Sequence, residues 1–150
     1  MVIVRRSILY LFFMTLFFPV VGSAVVPSYL DTSFNSPYGF AIWGTPMTSG
    51  ERPNRVAIQE DGKIVIVDTT GENDGDPQIA IIRLNPDGTP DAGFNIEGRI
   101  LYDSTYFSFA TDVAFQRDEN DVKIVVAGFR SPKARNWFDL ILLRYNSDGT

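Results

Sequence analysis

The feature that most limits what this chain can become is an internal duplication. Asp31-Thr32-Ser33-Phe34-Asn35 returns as Asp91-Ala92-Gly93-Phe94-Asn95. Val56-Ala57-Ile58-Gln59 returns as Val113-Ala114-Phe115-Gln116, and Lys63-Ile64-Val65 as Lys123-Ile124-Val125. Arg83-Leu84-Asn85-Pro86-Asp87-Gly88-Thr89 returns as Arg144-Tyr145-Asn146-Ser147-Asp148-Gly149-Thr150. Four blocks kept in one order, at a nearly constant spacing, mark a repeated structural unit, and such a unit buries its apolar face only by stacking on its neighbours. The second block returns slightly early, which reads as a loop insertion after it: Glu60-Asp61-Gly62 has grown into Arg117-Asp118-Glu119-Asn120-Asp121-Val122.

The turns divide each unit into strands. Asp61-Gly62 separates residues 56–59 from residues 63–67, and an Asp-Gly pair accepts the positive φ angles of a tight hairpin turn. Residues 79–84 form a third strand, ended by Asn85-Pro86-Asp87-Gly88, where Pro presets φ and Gly takes the left-handed position. A fourth strand is expected over residues 99–102, with its counterpart at residues 40–43. Ile64-Val65-Ile66-Val67, Ile79-Ala80-Ile81-Ile82 and Leu140-Ile141-Leu142-Leu143 are apolar at every position, the pattern of strands covered on both faces. Short four-stranded antiparallel sheets stacked face to face are the blades of a β-propeller, so the expected fold class is all-β, with about two propeller-like blades.

On these residues the chain resembles the delta-60 repeat proteins, bacterial exported or surface proteins expected to form β-propellers. The resemblance rests on Asp61-Gly62-Lys63-Ile64-Val65, on Arg83-Leu84-Asn85-Pro86-Asp87-Gly88-Thr89 and on Asp91-Ala92-Gly93-Phe94. It departs at the second unit, which lacks Asp-Gly before Lys123, and at Ile79 and Leu140, where the family carries an aromatic. The resemblance implies a fold and brings no activity with it. Residues 36–95 and 96–150 are read as the two units, the second breaking off where an Asp-x-x-Phe segment is due. Residues 25–35 read as a blade-closing segment. Closed propellers have about four to eight blades, so the expected partners are further blades of a longer chain or other copies of this one.

Arg5 and Arg6 precede an apolar run over residues 8–21 and the small residues Gly22-Ser23-Ala24, the form of a signal peptide cleaved after Ala24. The run is shorter than the roughly 20 residues of a membrane span. Export is therefore expected, by the general secretory rather than the twin-arginine route, to a secreted, periplasmic or cell-surface location. Without residues 1–24 the chain has 11 basic and 18 acidic residues, a net charge of −7. That surface repels phosphate backbones, which excludes nucleic acid as a partner.

The sequence contains no His and no Cys, which removes Ser-His-Asp and Cys-His nucleophiles, imidazole-bound zinc and disulfides. A carboxylate pair is the remaining catalytic option, but Asp61, Asp87, Asp91 and Asp148 sit where Asp bonds its own turn. The chain is therefore read as non-catalytic, a scaffold or interaction module, without a cofactor. Weak calcium candidates are Asp74, Asp76, Asp118 and Asp121, whose loops gather hard oxygen ligands without completing an EF-hand. Arg83 and Arg144, equivalent by the repeat, are read as blade-to-blade ties reaching Asp91 or an Asp-Gly turn carbonyl of the next blade. Trp137, close to Phe138 and the Tyr106-Phe107-Ser108-Phe109 cluster, is the candidate contact for a glycan, peptide or protein partner.

Overall fold

The computed structural model describes residues 29–43, 52–71, 76–102, 105–118, 121–133 and 137–150. The signal segment and the start of the 25–35 segment lie outside the described residues. The structure is all-β: β1 (Arg52–Ile58), β2 (Ile64–Thr70), β3 (Gln78–Leu84), β4 (Arg99–Leu101), β5 (Tyr106–Asp118), β6 (Asp121–Pro132) and β7 (Asp139–Tyr145). They form two antiparallel sheets, β1-β2-β3-β4 and β5-β6-β7, as incomplete propeller-like blades would. Register follows the repeat, with Val65 opposite Ala57 and Arg83 in the first sheet and Val125 opposite Ala114 and Arg144 in the second.

The sheets share one core. Val65, Val67, Ile79, Ile81 and Ile100 of the first face Val113, Ile124 and Val126 of the second, with Phe94 between them. Apart from Ile100 and Val113, 7% exposed each, these side chains are out of contact with water, and each contributes roughly 1.5–3 kcal/mol of burial.

Several expectations are corrected. Residues 40–43 form no strand. Their counterpart β4 bonds to β3 of the sheet before it, so residues 40–43 would need a third strand preceding residue 29. By the same pairing, β4 completes the first sheet rather than opening the second. Residues 117, 118, 121 and 122 belong to β5 and β6, with Arg117 opposite Val122 and Asp118 opposite Asp121, so the insertion lengthens a hairpin instead of a loop. The apolar run of β7 is covered on one face only: Leu140 is 82% and Leu142 63% exposed, because no described sheet packs on that side.

A bulge between Ala110 and Asp112 bends β5, and Gly128 of β6 lies opposite Ala110. A Cβ at Gly128 would run into the carbonyl oxygen of Phe109. Gly128→Val is therefore expected to lower stability by about 2 kcal/mol or more through forced displacement of the β5 backbone. Chemical denaturation checks it, and an unchanged midpoint would contradict the close approach.

Candidate functional site

Three loops share one hydrogen-bond plan. Gln59, Asn85 and Asn146 each donate their N–H to the carbonyl four residues on, at 2.8 Å, and accept from Gly62, Gly88 and Gly149, at 2.9–3.0 Å. Asp61, Asp87 and Asp148 each accept the N–H two residues later, at 3.1, 2.9 and 3.0 Å. Only the glycine of each loop has a positive φ, between 83° and 87°. The Asp61-Gly62 connection is thus a three-residue loop with a left-handed glycine, not a two-residue turn with two positive φ angles. Hydrogen bonds from Thr89 and Thr150 hold the carboxyls of Asp87 and Asp148 below their ordinary range.

Two of these loops are docking surfaces for the Asp-x-x-Phe-Asn segments. Phe94 and Gly98 close two turns on Asp91 and Phe94, at 3.0 Å each, and Phe34 and Gly39 repeat them on Asp31 and Phe34, at 3.0 and 2.9 Å. Asn95, in the left-handed region, donates its N–H to the Asp148 carbonyl at 2.9 Å, as Asn35 does to Asp87. The Phe94 ring then lies against Gly149 and the Phe34 ring against Gly88, so close that any Cβ there would collide with the ring. Each glycine is needed twice, for its φ and for its missing side chain.

The first unit closes this contact with charge. Arg83 is 5% exposed; its Nε donates to Asp91 Oδ2 at 2.7 Å and its Nη1 to the carbonyl of Ser147 in the second unit. Its guanidinium lies 4.3 Å from the centre of the Phe94 ring. Lys63 Nζ approaches the same Asp91 oxygen at 3.0 Å, and the Gly93 N–H donates to Oδ1 at 3.1 Å. Both acceptors expected for Arg83 are therefore at hand, and Phe94, unassigned from sequence beyond its place in the motif, is the wedge between them. A buried guanidinium needs this much company, since an unpaired charge at such depth is costly. Burial opposes ionisation of Asp91, but the Lys63 and Gly93 hydrogen bonds and the two cations outweigh it, so its carboxyl titrates below the usual range.

At the other end of the seam, beside the Asp76–Lys133 and Arg55–Asp112 ion pairs, neutral groups also stitch the sheets. Ser108 donates its N–H to the Pro77 carbonyl at 2.8 Å, and its hydroxyl accepts from Ile79 N at 3.2 Å. Ala110, at the bulge, donates to Thr69 Oγ1 at 3.3 Å. The sequence signal for this stitching is a polar residue at an inward strand position, as Thr69 and Ser108 are.

The remaining candidates are dispersed. Among the calcium candidates, Asp74 lies outside the described residues, Asp76 pairs with Lys133, and Asp118 stands across the hairpin from Asp121. Hydrogen bonds from Lys123, Ser147 and the Val122 N–H hold Asp121 at about 2. Among the described residues no three carboxylates gather as a metal site would require. Trp137 is half exposed beside Phe138, which meets Phe129 edge-on at 5.2 Å, and Phe129 stacks on Phe109 at 4.8 Å. Arg144, unlike Arg83, is exposed and reaches Gln116 Oε1 at 3.3 Å, while Lys123 bonds Asp121 and Asn146 at 2.9 Å.

Residues 59–94, from the first loop through β2 and β3 to the Phe94 wedge, match a family model described as a domain of unknown function (DUF5122) beta-propeller. No curated protein and no solved structure matches the chain. The matched segment contains Lys63, Arg83, Asp91 and Phe94, so the likeness to a propeller repeat falls on the residues that join the two sheets.

Because the Asp91 pKa is lower folded than unfolded, its stabilisation is complete above the unfolded value of about 3.9 and is lost as pH falls through the folded one. Asp91→Asn is expected to cost about 1–3 kcal/mol at pH 7, with the gap to the wild type narrowing below about pH 4. Urea unfolding at several pH values checks this, and a pH-independent gap would contradict it.

Proposed function

We propose that this chain is an exported, non-catalytic β-propeller-type module that works by presenting its surfaces to other polypeptides. The observation that carries the reading is the apolar surface left at both ends of the two-sheet stack. Val56 and Ile58 are 59% and 67% exposed on the first sheet, and Leu140 and Leu142 stand out from the second. Neighbouring apolar side chains on an outer sheet face mark association. The use made of its charges supports the same reading: Asp61, Asp87 and Asp148 accept hydrogen bonds within their own turns and Asp91 accepts from Arg83, so each of these carboxylates is engaged by the fold.

Two results are expected of the protein recovered from its producing cells. Its amino terminus is Val25, outside the cytoplasm, as mass spectrometry of cell fractions would show, and it turns over no glycoside, ester or peptide substrate. An intact leader in the cytoplasmic fraction would contradict export. Turnover abolished by a single Asp or Glu substitution would contradict the non-catalytic reading.

A further inference from the structure

The two exposed end faces are the repeat equivalents of the two faces already packed together inside the chain. The inward row Ala57–Val65–Arg83 of the first sheet corresponds to Ala114–Val125–Arg144, which lies on the outer side of the second sheet. Ile79 and Ile81, fully buried at the seam, correspond to the exposed Leu140 and Leu142. In the other direction, the rows of the second sheet that receive the first, Val113–Val126–Leu143 and Phe115–Ile124–Tyr145, correspond to Val56–Ile66–Ile82 and Ile58–Ile64–Leu84. Those rows lie on the outer side of the first sheet, with Val56 and Ile58 exposed. One end therefore carries the face that the other end is shaped to cover.

The charges divide in the same way. Arg83 has Asp91, the Phe94 ring and the Ser147 carbonyl. Arg144, its equivalent, is exposed, and Asp31, the equivalent of Asp91, is exposed at the opposite end with no cation beside it among the described residues. Asp31 is already in position to be used. It accepts from the N–H and hydroxyl of Ser33 at 3.0 and 2.6 Å, bonds that keep its carboxyl ionised to below its ordinary range. Phe34 behind it is already seated on Gly88, as Phe94 is on Gly149.

From this geometry we infer that a second copy of the chain docks head to tail, with Arg144 of one copy taking Asp31, the Phe34 ring and the Pro86 carbonyl of the next. The contact repeats the internal seam, and the outer face of β5-β6-β7 covers the outer face of β1-β2-β3. It is heterologous, closing a ring where the step is a pure rotation and giving an open filament where it is a screw. The inference rests on the interaction reading above and names the partner.

The test is the native mass of the chain across a concentration series, with Asp31→Arg, Arg144→Asp and the double variant. Both positions are exposed, so circular dichroism of each variant should match the wild type. The wild type is expected to form an assembly of more than one chain. Each single reversal should raise the dissociation constant at least tenfold, while the double variant, or an equimolar mixture of the two singles, regains association. A wild type that is monomeric at every concentration would overturn the inference, as would association indifferent to both reversals. Either result leaves export and the lack of turnover standing, since those are read by other measurements.

Discussion

Arg83 is a full positive charge held between two β-sheets, and the arrangement of everything near it follows from the need to satisfy it. Its guanidinium spans the seam, with the Asp91 carboxylate on its own unit and the Ser147 carbonyl on the next. A lysine at that position would offer a point charge where the fork of donors engages two acceptors set apart in space. Phe94 covers the guanidinium on one side and fills the hollow over Gly149 on the other, so the same ring shields the charge and fixes the distance between sheets. Hydrogen bonds through Ser108 and Thr69 hold the far end of the seam, beside the Lys133–Asp76 and Arg55–Asp112 ion pairs.

Much of this was legible because the turn residues and the duplicated blocks carry local physics. Asn85-Pro86-Asp87-Gly88-Thr89 folds as it does because of its own side chains, and the same five-residue plan recurs at residues 146–150. Arg83 could be read as a tie because a buried strand-end guanidinium has few kinds of partner. What could not be read is whatever depends on which sheet a strand joins. Residues 40–43 carry the repeat position of β4 without, among the described residues, the neighbour that makes β4 a strand, and hydrogen-bond partners are not encoded in the segment itself. Leu140 and Leu142 look like core in the sequence and are surface in the structure, because an apolar run records the face a strand offers, not whether anything covers it.

The same separation applies to function. Acidic residues are abundant, yet among the described ones Asp61, Asp87 and Asp148 are engaged by their own turns, Asp121 and Asp76 by Lys123 and Lys133, and Asp91 by Lys63 and Arg83. Aromatic residues are prominent, yet Phe109, Phe129 and Phe138 form a ladder along the outer side of the second sheet, and Trp137 stands at its edge. The surface also offers two apolar end faces, one bearing the exposed Arg144 and the other Asp31 with its carboxylate held by Ser33.

The Phe94 wedge and the Arg83 charge couple the two sheets into one folding unit. Amide hydrogen exchange in wild type and Phe94→Ala tests it most directly, since the substitution removes a side chain with no exposure to water and is expected to cost about 3–5 kcal/mol. The coupling predicts that β2 and β3 of the first sheet and β6 of the second lose protection together and by the same factor. Loss confined to one sheet, with the other exchanging as in the wild type, would mean that the sheets fold independently and that the clasp is an ornament of their contact, not its cause.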